Sequence, residues 1–403
     1  MKRKIIASLK LGIHFIDCVL KRVLPDKLYQ WLFPRGSLFQ TLKVYRLYGQ
    51  GAFLQLSPLH NSEKPPRYRV AYFNGCPDGR SDRYRVYDQV RYLTQCNILA
   101  DVYSYGSLNE LESADLYDCL VLFRCSNGRE AQMARILQRY HAAGISIFYD
   151  VDDYLLERCT DEERLAVMET IRCCNRMTVS TMYLAELYYS VFHIPVDVIP
   201  ITISELQYAH AQMLLQKKSE QNISSGAVRI AYLCGSNSHD ADFLVATDAL
   251  IHILQRHPEV QLILVGPLQI PKALKVVDRQ IVCMRYMPYL QLLDLTATID
   301  INIAPLTDDV FNQGKAETKI TEAALVKVPT IASPIRSYCD LITPGINGMI
   351  ASTQQEWERA LELLVSDATL RQNMGEQAYH DFLKRFLLCN VGKQIIALQE
   401  TKK

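Results

Sequence analysis

Side chains able to do chemistry gather in four short stretches of the sequence. In APLTDDVFNQGKAETKITEAALVK (304–327), Lys315, Lys319 and Glu322 stand about a helical turn apart, at the start of a helix that follows a buried strand. Two ammonium groups there can neutralise a phosphate-bearing ligand while the carboxylate accepts hydrogen bonds from its hydroxyls. The same spacing also suits an exposed helix laced by Lys and Glu pairs. In YLCGSNSHDADF (232–243), Gly235 and Ser236 fall where a strand ends and a helix begins. Backbone N–H groups and the helix dipole make an anion site at such a turn, although Gly and Ser also serve turn geometry. His239, beside Asp240, shares that loop.

The other two stretches lie nearer the N-terminus. GISIFYDVDDYLLE (144–157) sets Asp150, Asp152 and Asp153 after an apolar strand, where capping of the following helix is one reading. NGCPDGRSDRYRVYDQV (74–90) places a Gly- and Pro-containing turn before a helix whose first turn holds Arg83, Tyr84 and Arg85; solvated arginines are one reading of it. The nine histidines make no metal-ligand spacing such as H-x-x-x-H, and no Cys-x-x-Cys occurs among the twelve cysteines. Scattered among apolar residues in a chain this long, those cysteines read as reduced, buried thiols of a cytosolic protein.

The elements that must carry these residues alternate from residue 67 onward. Apolar β-branched runs at 67–75, 98–106, 117–125, 145–151, 177–181 and 196–202 read as strands, with helical periods between them at 81–96 and 128–144. The polar stretch QKKSEQNISSGA (216–227) has no apolar period and reads as a linker. The alternation then restarts, with strands at 228–235, 260–268, 279–288, 300–306 and 329–335, helices at 242–258, 289–299 and 317–327, and a mostly helical tail from 354. Continuous apolar strands separated by helices indicate parallel sheets covered on both faces. Two doubly wound units in tandem place a ligand between the C-terminal ends of their strands.

A chain of 403 residues with 49% hydrophobic and 22% charged residues suits two or three folded domains and excludes a disordered tail protein or a histone-like nucleic-acid binder. The net charge of +1 hides an asymmetry: residues 1–60 carry ten basic and two acidic residues, +8, which leaves −7 for the remainder. No run of about 18 uncharged apolar residues is present. Residues 1–20 imitate a signal peptide, but Lys10, His14 and Asp17 interrupt the apolar region and no small-x-small cleavage site follows. At helical period Ile5, Leu9, Ile13, Ile16, Leu20 and Leu24 form one stripe beside basic residues. That pattern suits a helix lying in an anionic membrane surface, or one packed on the protein's own core.

The second unit resembles the C-terminal domain of family-4 (group 1) glycosyltransferases, over about 150 residues in the family's order: VRIAYLCGSNSHDADF, the LILVGPL strand, IDINIAPLTDDVFNQGKAETKITEAALVKVPTIASPI, ITPGINGMI and EWERALELL. The resemblance implies the GT-B architecture: an α/β fold of two facing Rossmann-like, doubly wound parallel-sheet domains, with a helical N-terminal extension and a helical C-terminal tail. The expected limits are a basic amphipathic extension over 1–60, an acceptor domain over 61–222, a nucleotide-sugar domain over 223–386 and a C-terminal helix over 387–403 that could return to the first domain. By resemblance, Glu322 is the second Glu of the Glu–seven residues–Glu signature and accepts hydrogen bonds from the nucleotide ribose. Lys315 and Lys319 face the donor diphosphate, and Tyr286 with the backbone near Met287 holds the base. Gly235, Ser236 and His239 line the donor loop. The first signature Glu, which contacts the donor sugar, falls at position 314, where this chain has Gly314; a neighbouring backbone group or Lys315 would then take its role.

The first unit resembles the family more weakly. Its Asp-rich loop would put Asp150, Asp152 and Asp153 on the acceptor side of the cleft, with Asp152 and Asp153 near the chemistry, and Arg83, Tyr84 and Arg85 near acceptor and donor phosphate. A DxD metal site would demand a single-domain transferase fold, which the tandem architecture opposes. A magnesium-dependent phosphatase loop wants a small hydroxyl residue where Tyr154 stands. The expected activity is therefore transfer of a sugar from a nucleotide-diphosphate donor to a glycan or lipid-linked acceptor, with retention of configuration and with neither metal nor cofactor. A catalytically degenerate scaffold would also explain Gly314. The expected setting is cytoplasmic, on the inner face of the membrane through residues 1–24, as in bacterial surface-polysaccharide assembly, with no nucleic-acid partner.

Overall fold

A computed structural model describes residues 66–76, 81–126, 130–221, 226–235 and 240–400. The expected basic extension, together with Ser236 and His239, lies outside the described residues. Among the described residues twelve strands form two six-stranded sheets, and every pairing between named strands is parallel.

The first sheet runs β2-β1-β3-β4-β5-β6, from β1 (Tyr68–Asn74), β2 (Ile98–Ser104), β3 (Cys119–Phe123), β4 (Ser146–Val151), β5 (Arg176–Val179) and β6 (Val196–Val198). Its helices are α1 (Asp88–Gln95), α2 (Leu108–Ser113), α3 (Ala131–Ala142), α4 (Asp161–Arg172) and α5 (Met182–Phe192). Alternation along β3 shows why the run CLVLF is apolar throughout: Leu120 and Leu122 enter one buried cluster, and Val121 and Phe123 enter another on the opposite face.

The second sheet runs β9-β8-β7-β10-β11-β12, from β7 (Arg229–Leu233), β8 (Gln261–Val265), β9 (Ile281–Met284), β10 (Ile301–Ala304), β11 (Thr330–Ala332) and β12 (Met349–Ile350). Numbered from its own first strand, that is the 3-2-1-4-5-6 order of dinucleotide-binding folds, with its switch point between β7 and β10. The first sheet changes direction between β1 and β3. Helix α6 (Glu205–Gln221) joins the two lobes. The polar stretch read as a linker is therefore helical as far as Gln221; Gln, Lys and Glu are good helix formers, and composition without an apolar period does not distinguish an exposed helical end from a loop.

The second lobe adds α7 (Asp240–Arg256), α8 (Tyr289–Thr296), α9 (Val310–Gln313), α10 (Thr318–Ala324), α11 (Arg336–Cys339), α12 (Gln354–Ser366) and α13 (Ala368–Phe386). The last helix, α14 (Leu388–Glu400), crosses back to the first lobe and covers one face of its sheet through Leu388, Val391 and Ile395. A side chain at Gly392 would run into the Tyr92 ring, a Cβ falling 2.0 Å from Cε1, so glycine lets α14 lie against α1. Gln399 donates to the Tyr72 hydroxyl at 2.7 Å and Gln394 to the Val198 carbonyl at 3.0 Å, fixing the helix at its middle and near its C-terminal end. Among the described residues no helix is long and apolar enough to cross a membrane.

Candidate active site

The turn after β1 decides what three consecutive residues do. Arg83–Tyr87 form a single π-helical turn before α1, and all five are buried. Such turns cluster at functional sites, because the widened backbone redirects successive side chains. Here Arg83 donates from Nη2 to Glu322 Oε1 at 2.7 Å, across to α10 of the other lobe. Tyr84 donates its hydroxyl to Asp152 Oδ2 at 2.9 Å. Arg85 turns under the sheet, donates to both oxygens of Asp150 (Nε to Oδ1 at 2.9 Å) and also reaches the Ile199 carbonyl.

The three aspartates expected to share one face therefore separate. Asp150, inside β4, is buried, pairs with Arg85 and also accepts from Thr178 Oγ1 at 2.6 Å. Arg85 has no exposed surface. These two were expected on the acceptor side; they sit under the sheet instead, their polar atoms taken up by each other. The reason is place along the strand: Asp150 lies inside β4 and points from one face of the sheet, whereas Asp152 and Asp153 come after its last residue, Val151, where the chain leaves the sheet and alternation no longer directs the side chains.

Asp152 and Asp153 follow the strand end and do reach the cleft edge. They do not cap the next helix, because α4 begins only at Asp161, with Thr160 as its N-cap in a capping box with Glu163. Both instead pair with Arg124: Nε donates to Asp152 Oδ1 at 2.7 Å and Nη2 to Asp153 Oδ2. Arg124 follows β3 directly and holds a positive φ of 45°, a strained value for a residue with a side chain. Its neighbours hold its pKa far above the arginine range, Asp152 first and Asp153 next, against the opposing effect of burial. Sequence reading missed Arg124; the available signal was an arginine ending an otherwise apolar strand.

On the second lobe, the loop after β10 is built around Asn312, whose Nδ2 donates to Asp242 Oδ1 at 2.8 Å and to Thr307 Oγ1 at 2.8 Å. Asp309 caps α9, accepting from the Asn312 N–H at 2.8 Å. This frame presents Lys315, whose Nζ lies 3.6 Å from Asp153 Oδ1 of the first lobe and 4.4 Å above the Phe311 ring. Burial pushes the Asp153 carboxyl up, but Lys315 and Arg124 together bring it below its ordinary value. Lys319, in the first turn of α10, lies 4.4 Å above the Tyr232 ring and donates to its hydroxyl at 3.4 Å. No carboxylate among the described residues pairs with it. Desolvation lowers its ammonium to about 8, with Lys315 adding repulsion. Glu322 is raised by burial and partly restored by Arg83. Gly235 stands two residues past β7, beside this group at the switch point, and Tyr286 is exposed beyond β9.

One lobe thus contributes Arg83, Arg124, Asp152 and Asp153 and the other Lys315, Lys319 and Glu322, meeting where the strands of both sheets end. Residues 229–367 match the family "Glycosyl transferases group 1". The second lobe is a group 1 glycosyltransferase domain, and the chain is a glycosyltransferase. Its fold is that of GT-B enzymes. The Anabaena Alr3699/HepE structure in complex with UDP-glucose superposes with a TM-score of 0.59 at 16% identity, over 82% of this chain and 99% of that one. Sucrose-phosphate synthase from Thermosynechococcus elongatus gives 0.59 at 12% identity, covering 82% and 98%. A glycosyltransferase from Rickettsia africae gives 0.57 at 14%, covering 83% and 98%. No curated protein matches the chain in sequence.

Within this transferase the buried Arg85–Asp150 pair gives a stability prediction. Removing one partner of a buried pair leaves the other charge uncompensated, so Arg85→Met is expected to lower unfolding free energy by about 3–5 kcal/mol. Urea denaturation of the two proteins measures it; an unchanged midpoint would show that the pair does not hold β4 in place.

Proposed function

We propose that the enzyme transfers a sugar from a nucleotide-diphosphate donor to a hydroxyl of a glycan or lipid-linked acceptor. The observation that carries this reading is Lys319: a half-buried ammonium over Tyr232, beside a second lysine, at the switch point of a group 1 glycosyltransferase domain. A desolvated cation with no carboxylate partner is a site for an anion, and with Lys315 beside it, its own partner Asp153 standing across the cleft, the two ammonium groups suit a pyrophosphate. The UDP-glucose held by the Anabaena protein supports a nucleotide sugar as that anion's carrier.

In this reading Lys315 and Lys319 stabilise the charge that develops on the departing diphosphate, and the Gly235 turn adds backbone N–H groups. Glu322 exchanges Arg83 for ribose hydroxyls, and Arg83 is then released toward the phosphates. Asp152 and Asp153 line the acceptor side, held by Arg124 and Tyr84. The family resemblance carries retention of configuration through an oxocarbenium-like state. Metal independence is supported by charge: Asp152 and Asp153 already share an arginine, and Asp153 a lysine, which repel a divalent cation. Closure of the lobes excludes water and limits donor hydrolysis. The basic, striped segment 1–24 would hold the enzyme at an anionic membrane surface, where a lipid-linked acceptor resides.

Lys319→Ala is expected to lower kcat/KM about 10²–10³-fold without loss of fold. In the wild type, kcat/KM should fall as pH rises through about 8, because the protonated amine is the anion-binding form. Undiminished turnover in the alanine variant, or a flat profile up to pH 9.5 (about 1.5 units above that value), would remove the donor-site assignment. Transfer should persist in excess EDTA; abolition that magnesium restores would rule out the metal-free mechanism. Full-length protein should co-sediment with anionic liposomes and a variant lacking residues 1–24 should not; equal binding would count against the membrane role.

A further inference from the structure

Gly314 closes the short helix α9 with φ −82° and ψ −6°, values open to any residue, so backbone conformation does not call for glycine there. Its surroundings do. A Cβ built on Gly314 would lie 2.7 Å from Leu184 Cδ2 and 3.3 Å from Leu184 Cγ. Leu184 belongs to the other lobe, has no exposed surface and is packed in that lobe's core, so it has little room to give way. The Gly314 carbonyl also accepts from Thr181 Oγ1 at 3.4 Å, at the N-cap of α5, where the helix dipole favours a carbonyl oxygen. The same seam carries Arg336 paired with both oxygens of Glu186, and Arg158 donating to Asp309 Oδ2 at 3.1 Å. Those pairs are solvent-exposed and weak; the Gly314–Leu184 contact is the tight, buried one.

We propose that Gly314 is a positioning residue: its missing side chain sets how far the lobes close, and thereby how near the following residue, Lys315, comes to Asp153. In this chain position 314 reaches no donor sugar, since any side chain there would meet Leu184 first. A larger residue would hold the lobes apart and lengthen the Lys315–Asp153 and Arg83–Glu322 approaches together, because both pairs cross the same seam. The inference concerns the closure of the free enzyme and does not depend on which donor or acceptor is used.

The experiment needs no substrate. Small-angle X-ray scattering and amide hydrogen exchange are compared for wild type, Gly314→Ala, Gly314→Val, Leu184→Ala and the double variant Gly314→Val/Leu184→Ala, with thermal unfolding confirming that each is folded. Gly314→Val should enlarge the radius of gyration and speed exchange in the first turn of α5 by about tenfold. Gly314→Ala should shift both readouts less, in the same direction. The double variant should return toward Leu184→Ala alone, a coupling expected only for residues in contact. If valine leaves scattering and exchange at the wild-type values, or if Leu184→Ala gives no relief, the proposal is wrong. Should the valine variant not fold, the alanine variant with and without Leu184→Ala decides by the same coupling.

Discussion

Two of the ion pairs at the sheet ends cross the cleft from one lobe to the other, and the rest of the site depends on that exchange. Arg83 of the first lobe meets Glu322 of the second, and Lys315 of the second meets Asp153 of the first. Each lobe supplies one cation and one anion, and neither pair exists unless the lobes approach. Partly desolvated charges are costly alone and tolerable only when matched. The cleft therefore holds two ion pairs that stand where ligand groups could replace them. A diphosphate offers Lys315 what Asp153 offers, and sugar hydroxyls offer Glu322 hydrogen bonds in place of those from Arg83. Lys319 is the charge left over, and its lowered pKa is the price of standing desolvated beside another lysine.

Beneath that exchange lies a rigid frame with different energetics. Arg85 and Asp150 are fully committed to each other, to Thr178 and to the Ile199 carbonyl. The pair ties the π-helical turn to β4, and so fixes the directions in which Arg83 and Tyr84 leave the same turn. On the second lobe Asn312 performs the equivalent task, joining Asp242 after β7 to the loop after β10. Helix α14 closes the back of the first sheet with residues drawn from the far end of the chain. A cleft whose floor is held this way can change its surface pairings without loosening its strands.

The alternation of apolar runs and helical periods was enough to read two parallel sheets, because strands buried on both faces must be apolar throughout and periodicity records that directly. The helical continuation of the 216–221 stretch was not legible, since an exposed helix end has no apolar stripe to mark it. Lys315, Lys319 and Glu322 were legible as a group because they lie close together on one loop and helix, where spacing along the chain approximates spacing in space. The aspartates were legible only as a cluster: spacing could not show that Asp150 turns under the sheet while Asp152 and Asp153 turn out.

What the sequence determined by itself is local and periodic: the strands, most of the helices, the lysine-bearing loop and the fold class they add up to. What only the tertiary structure decided is which groups meet from distant parts of the chain. Arg124 bracing two aspartates, Arg83 holding Glu322 and Leu184 standing against Gly314 join positions separated by tens to hundreds of residues. Those meetings follow from strand order and helix packing, so no window of neighbouring residues contains them, and the meaning of a glycine at 314 is written in the side chain of another lobe.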